Sequence, residues 1–420
     1  MYDYQLTTLP NGVRIATERI AGVRSAALGI FVTTGSRDEK AGESGAAHFI
    51  EHMLFKGTEH CTAEALARRM DTIGGQVNAF TSKDLTCFHA RCLDIHLHEA
   101  LDILCDMFFC SRFDEADVET ERGVILEEMG MYADDPADLV SERMNAAVFR
   151  GNSLGRPVLG RRSTLARMTG AWLKEYKQAH YTADRVVIAL AGSFDDSVLA
   201  EICDRFSTMV PAAKPQRYRT AVIHDSVVVR RKATEQNHLQ ITMPSLNDRD
   251  ERRYQLALMS SILGGGMSSR LFQQVREKNG LCYSVYTFGS SQEDVGLFSV
   301  YTALNREQEP KAIACILDVL HEFAEHGPTE DELHMVREQT KANVLMGMES
   351  TVARMNHLAR CLLREKHFIT PDDIITGYDS VTREQVLALA QEVLNFNRLS
   401  FSAVGRVSDT DTYRAMLTGT

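Results

Sequence analysis

The sequence predicts an α+β protein made of two homologous halves, an internal duplication, and three observations predict it. A β-rich run from Ser25 to Thr34 ends at Gly35-Ser36-Arg37-Asp38-Glu39, and a second from Asn237 to Met243 ends at Asn247-Asp248-Arg249-Asp250-Glu251. A helical stretch from Leu66 to Ile73 leads through Gly74-Gly75 into a strand-like Val77 to Arg91. In the same order, Leu271 to Lys278 leads through Gly280 into a strand-like Cys282 to Phe288. Two later helices each open on an acidic turn, Phe113-Asp114-Glu115 and Thr329-Glu330-Asp331. Repetition at this scale implies two units of roughly 200 residues each. The join falls in Pro211 to Tyr218 (PAAKPQRY), whose two prolines and mixed polar residues favour neither helix nor strand. The expected domains are therefore 1–210, a linker at 211–218, and 219–420. Chance likeness between alternating helices and strands is the competing explanation, because such patterns specify a fold loosely.

The bulk numbers fit this division. At 420 residues the chain exceeds one ordinary domain, and its 44% apolar and 25% charged content is that of a soluble globular protein with material for large cores. The net charge, 46 basic minus 57 acidic residues or −11, argues against nucleic acid as a partner. An acidic surface suits basic or neutral substrates, and equally serves solubility. Nine scattered cysteines, an odd number without a CxxC, argue against a disulfide framework and point to a reducing compartment. The start, Met1-Tyr2-Asp3-Tyr4-Gln5-Leu6, lacks a basic region followed by an apolar run, and no stretch is long enough to span a bilayer. A cytoplasmic protein without membrane association is expected; a trimmed organellar matrix protein fits the same facts.

The segment Gly45-Ala46-Ala47-His48-Phe49-Ile50-Glu51-His52-Met53-Leu54-Phe55 carries the chemistry. A helix advances about 100° per residue, so His48 and His52 share one face with Glu51 close beside them. Phe49, Ile50, Met53 and Leu54 cover the opposite face and read as a core-facing stripe. Two imidazoles at this spacing suit one Zn²⁺, which in a catalytic site needs a third protein ligand and an open position for water. Water at such a position has a pKa near ~7, and Glu51 is placed to take its proton. Two ordinary helix histidines with local hydrogen bonds are the alternative.

A third ligand is sought in Asp117 to Tyr132, which reads as a helix with Val118, Ile125 and Met129 on one stripe. Glu121 and Glu128 are seven apart and flank that stripe nearly in phase, whereas Glu127 points about 100° away toward solvent. Glu128 is thus the ligand candidate, and Glu121 is placed to orient a ligand histidine from behind. Without the histidines, two solvated helix glutamates would be the favoured explanation of the pattern.

HxxEH is the inverted zinc-peptidase motif. Its continuation His52-Met53-Leu54-Phe55-Lys56-Gly57-Thr58, with Glu128 lying 76 residues after His52, resembles the pitrilysin/insulinase superfamily. Within it, the chain is most similar to bacterial relatives of the mitochondrial processing peptidase β-subunit, from about Leu9 to Gly405. Gly74 to Ser82 resembles the family's edge strand, where Asn78, Ala79 and Phe80 would pair with substrate backbone. Leu154-Gly155-Arg156-Pro157-Val158-Leu159-Gly160 resembles another family segment.

The resemblance implies an endopeptidase with one Zn²⁺ per chain, acting on extended or unfolded peptides inside a clamshell of four homologous domains. This chain carries two such domains, so a homodimer with shared sites is implied. Arg276 and Tyr283, seven apart, match the family's substrate-holding pair. Their donors suit a peptide carbonyl or developing oxyanion; a surface arginine and a core tyrosine are the plain alternative. Phe55 is expected on the His48/His52 face, where the family places a side-chain pocket, with simple packing as the alternative. Asp138 and Glu142, four apart on one helix face, match positions at which the processing peptidase holds a substrate arginine with an acidic pair in the opposite order.

Gly264-Gly265-Gly266 is not a phosphate loop, because no GxxxxGK[ST] follows. Cys87 to Cys110 lacks metal-ligand spacing and reads as core. The competing functions are a non-catalytic assembly subunit and the active partner of an inactive paralogue. Members of the first class have generally lost zinc ligands, whereas His48, Glu51, His52 and Glu128 all stand here.

Overall fold

A computed structural model describes residues 2–212, 220–365 and 367–418. Most of the expected linker, 213–218, lies outside the described residues. Six strands form the first sheet: β1 (Asp3–Thr8), β2 (Arg14–Arg19), β3 (Ser25–Val32), β4 (Gln76–Thr81), β5 (Thr86–Leu93) and β6 (Val186–Gly192), in the order β1-β2-β6-β3-β5-β4. Five form the second: β7 (Val227–Arg231), β8 (Asn237–Ser245), β9 (Ser284–Ser291), β10 (Gly296–Leu304) and β11 (Ser400–Gly405), in the order β7-β11-β8-β10-β9.

Without β1, the two orders are identical. β2 pairs with β6 in parallel as β7 does with β11, and every other corresponding pair is antiparallel. The duplication expected from sequence is therefore present strand by strand. The stretch Val77 to Arg91, expected as one strand-like run, is a hairpin. Ser82 N–H donates to Leu85 O (2.8 Å), closing a turn between β4 and β5.

Packing divides the chain differently from the repeat. One compact unit gathers the residues up to Met129, those from Arg156 to the linker, and Met346–Thr370. The other gathers Gly130–Gly155, the residues from Thr220 to Leu345, and Pro371 onward. The contiguous halves 1–210 and 219–420 thus exchange one helical segment each, and the reason lies in the sheets. β6 and β10 are buried along their whole length, so both faces of each sheet need an apolar cover.

On the first sheet, Met355, Leu358 and Ala359 of the helix Thr351–Arg360 pack against Ala16, Ala27, Phe31 and Val187. Gly29 of β3 lets that helix approach, since a Cβ there would meet the Met355 sulfur at 2.9 Å. In the second unit, Val140 of the helix Pro136–Val148 packs with Tyr301, Ala303 and Val404.

Around the first sheet, α1 (Ala46–Met53), α2 (Ala63–Thr72), α3 (Leu97–Cys110) and the first turns of α4 (Glu115–Asp134) cover the remaining face. All nine cysteines are free thiols. No described helix is long and apolar enough to cross a membrane.

Candidate metal centre

The centre is built on α1. Its start is fixed by Gly45, whose φ of +99° is open to glycine and strained for other residues. Gly160 packs directly on Gly45: a Cβ on Gly160 would lie 2.5 Å from the Gly45 Cα, so the segment from Leu154 to Gly160 buttresses the helix start. The free N–H groups of that first turn find a carboxylate. Gly45 N–H and Ala47 N–H donate to the two oxygens of buried Glu39, at 2.9 and 3.0 Å. Phe49, Ile50 and Met53 are buried in the core, as the stripe implied.

The opposite face carries the polar residues. His48 Nε2 and His52 Nε2 each lie 3.7 Å from Glu128 Oε2. Three donors on a tetrahedral zinc with bonds near 2.0–2.1 Å stand ~3.4 Å apart, so the observed spacing is close to a ligand set. Glu128 Oε2 is buried and has no hydrogen-bond partner among the described residues. A buried carboxylate oxygen without a partner is costly, and a cation between it and the imidazoles removes that cost. Burial, then neighbouring His52, pushes the His48 imidazole down to about 3, which keeps it neutral as a metal ligand requires. The residues present fit a metal ion.

Glu121 behaves differently from Glu128. Its Oε2 lies 3.0 Å from His52 Nδ1, and its Oε1 pairs with Lys56 Nζ at 2.6 Å. A carboxylate on Nδ1 fixes the proton there and leaves Nε2 as the metal-binding lone pair. His48 Nδ1 has no such partner among the described residues, so no carboxylate orients His48 from behind. Glu121→Gln is expected to weaken metal binding ~10–100-fold. Competition against a chromophoric chelator measures this, and unchanged affinity would show that His52 needs no such anchor.

Glu51 stands beside this set and accepts a hydrogen bond from Thr81 Oγ1 of β4. Burial pushes its carboxyl above the ordinary range, while the Thr81 bond and His52 pull it back. Glu127 is exposed, as its helical phase implied, and Glu128 is half-buried.

Phe55 requires a correction. α1 ends at Met53, and the chain leaves in a tight turn with Phe55 N–H on His52 O (3.1 Å) and Lys56 N–H on Met53 O (3.1 Å). Phe55 thus sits on the turn just after the helix and not within it, on the side of Glu51 and His52. It still lines an open pocket with Glu51, His52, Lys56, Glu121 and Val124.

β4 is the edge strand anticipated from sequence, paired only with β5 among the described residues. Asn78 and Phe80 are exposed on it and Ala79 is half-buried.

The remaining expected residues belong to the second unit. Arg276 sits in a π-helical stretch, Phe272–Lys278, a rare irregularity that concentrates at functional sites. Gly280 (φ +60°) turns the chain back, and Leu281 N–H returns to Val275 O at 2.9 Å. This sets the Arg276 guanidinium 4.8 Å over the Tyr283 ring, with Tyr283 itself 73% exposed. The two residues are therefore brought together. Asp138 and Glu142 are both exposed, one turn apart on the helix Pro136–Val148.

Three residues at the centre were not singled out from sequence. Glu39, Lys56 and Thr81 act through tertiary contacts. Only Thr81 carried a local signal, its place on the same strand face as Ala79.

Two imidazoles and a carboxylate around one point, with a further carboxylate alongside, define a candidate metallohydrolase centre on this fold. Comparison with known proteins gives the family. Residues 14–162 match the family described as insulinase (peptidase family M16), and residues 167–340 match the peptidase M16 inactive domain. The chain is 40% identical over 417 residues to an uncharacterized zinc protease of Streptomyces coelicolor, covering 97% of this chain and 91% of that protein. It is 41% identical over 387 residues to the uncharacterized zinc protease YmxG of Bacillus subtilis, covering 92% and 94%. The chain belongs to peptidase family M16, the insulinase family.

Two solved structures share the fold. One is a peptidase M16 inactive domain from Pseudomonas fluorescens (TM-score 0.89, 21% identity, 97% of this chain and 99% of that one). The other is a protease from Helicobacter pylori (TM-score 0.89, 18% identity, 96% and 100%).

Proposed function

We propose that this peptidase is a zinc-dependent endopeptidase that cuts extended or unfolded peptides in the manner of a processing peptidase. The observation that carries the reading is the convergence of His48 Nε2, His52 Nε2 and the unpartnered Glu128 Oε2, with Glu51 alongside. The zinc protease names of the relatives support it. An intact ligand set counts against a non-catalytic assembly role.

His48, His52 and Glu128 would hold a zinc ion, which would supply Lewis acidity toward the scissile carbonyl and the attacking water. Glu51, held by Thr81, takes the proton of the attacking water and returns it to the departing amine. The free edge of β4 adds the peptide as a further strand, which binds backbone and tolerates many sequences. Phe55 offers an apolar wall for the residue just after the cut.

Arg276 and Tyr283 hold the substrate carbonyl or the developing oxyanion. We place them against the metal centre of a second copy, so that a homodimer encloses two shared sites. Mixing Glu51→Gln with Tyr283→Phe chains is expected to restore on the order of a quarter of wild-type activity if subunits exchange at random. Mixed dimers with no activity would exclude shared sites.

Asp138 and Glu142 together offer carboxylates for an arginine before the cut, through charge-assisted bonds of roughly 1.5–3 kcal/mol each. The expected result is a higher kcat/KM for arginine than for citrulline peptides, lost in the Asp138→Asn/Glu142→Gln variant. An equal rate on both peptides would remove this assignment.

A further inference from the structure

We infer that the chain carries a second metal site, containing thiolate and built from His60, Cys61, Asp106 and Cys110, for a borderline-soft d-block ion of the Zn²⁺ class. Its donors are separate from those of the proposed catalytic centre, and the inference does not depend on the peptidase reading.

Three ligand-type side chains, His60, Asp106 and Cys110, meet here from two elements of the first unit, with Cys61 beside Asp106. Asp106 and Cys110 are one turn apart near the end of α3, the same i,i+4 spacing that places His48 and His52 on one face. His60 and Cys61 come from the loop 57–62 that joins the exit of α1 to α2. One donor from each of His60, Asp106 and Cys110 lies within 4.8 Å of the other two. Cys61 Sγ lies 3.8 Å from Asp106 Oδ2. A His/Asp/Cys/Cys set mixes imidazole, carboxylate and sulfur, which suits zinc-like ions and not Mg²⁺ or Ca²⁺. Cys110, read from sequence as core, is thus half-buried at the edge of this cluster, while Cys87, Cys92 and Cys105 are core residues.

The scaffold is pre-formed. Glu59 N–H donates to Cys110 O at 2.8 Å, and Thr58 forms a bridge with Ser111, so the loop is pinned to the end of α3. Thr58 Oγ1 donates to Asp106 Oδ2 at 2.7 Å and orients the carboxylate, as outer partners of metal ligands do. Arg69, 4.0 Å from Asp106, is already paired with Glu99 (2.8 Å) and Asp102 (2.7 Å). His60 Nδ1 now bonds Asp106 Oδ1 at 2.6 Å, closer than the ~3.4 Å between two donors on a tetrahedral ion. The His60 side chain is 68% exposed and free to swing outward by under ~1 Å and admit the ion. An ion held there would fasten the loop that leaves the catalytic helix.

Cobalt(II) separates the two sites, because only thiolate ligands give a sulfur-to-metal charge-transfer band and the His48/His52/Glu128 set has no sulfur. The metal-free full-length chain is titrated with Co²⁺. The His48→Ala/His52→Ala double variant is expected to bind one ion and keep the band. Cys110→Ser, with folding checked by circular dichroism, should weaken it by at least about half, and Cys61→Ser/Cys110→Ser should lose it altogether. Exposed His60→Ala should bind this ion at least about tenfold more weakly, since even outer partners of a ligand contribute that much. Absence of the band in wild type, or its persistence at full strength in both Cys110→Ser and His60→Ala, would overturn the site.

Discussion

Glu51→Gln is expected to lower kcat by on the order of 10²–10⁴-fold while leaving zinc content and folding unchanged. The amide has the shape of the carboxylate and can still bond Thr81 Oγ1, so α1 and its histidines should stay in place. What it lacks is the ability to take a proton from the attacking water. Glu51 stands outside the His48/His52/Glu128 group, so activity and metal content are expected to separate. The measurement is kcat for an extended peptide beside metal analysis of the same sample. Near-normal turnover would remove Glu51 as the base, and parallel loss of zinc would make it a ligand instead.

Glu128→Gln is expected to cost both zinc and activity, whereas Glu127→Gln should change neither. The two residues are neighbours in sequence and differ only in direction. Glu128 Oε2 is buried 3.7 Å from both imidazole Nε2 atoms, and Glu127 is exposed to solvent. A neutral amide oxygen is a poorer zinc ligand than a carboxylate, and structural partners cannot replace the lost charge. Metal analysis of the two purified variants decides the matter. Equal loss from both, or loss from Glu127→Gln alone, would overturn the ligand choice.

The grouping of His48, His52 and Glu128 was legible in the sequence because its information is local. His48, Glu51 and His52 lie within one turn of one helix, and the phase of α4 alone separates Glu128 from Glu127. The duplication was legible for a similar reason, since strand, turn and helix signals recur in the same order. What was not legible depends on chain segments distant in sequence. An amphipathic helix records that one face is buried, not which sheet will bury it. The exchange of 130–155 and 346–370 between units therefore left no local mark. Glu39 caps α1 across a turn, Thr81 reaches Glu51 from a neighbouring strand, and Lys56, on the turn after α1, pairs with Glu121 of α4. Phe55 lies two residues past the end of α1, where helical periodicity no longer applies, and it still lines the pocket beside Glu51 and His52.

The most direct measurement of the central claim is cleavage of an unstructured peptide library, with the products sequenced, before and after zinc is stripped and restored. The expected result is internal cleavage by the zinc-loaded protein, lost on chelation and recovered when zinc is returned. No cleavage by zinc-replete protein, or cleavage indifferent to the chelator, would contradict a zinc endopeptidase built on His48, His52 and Glu128.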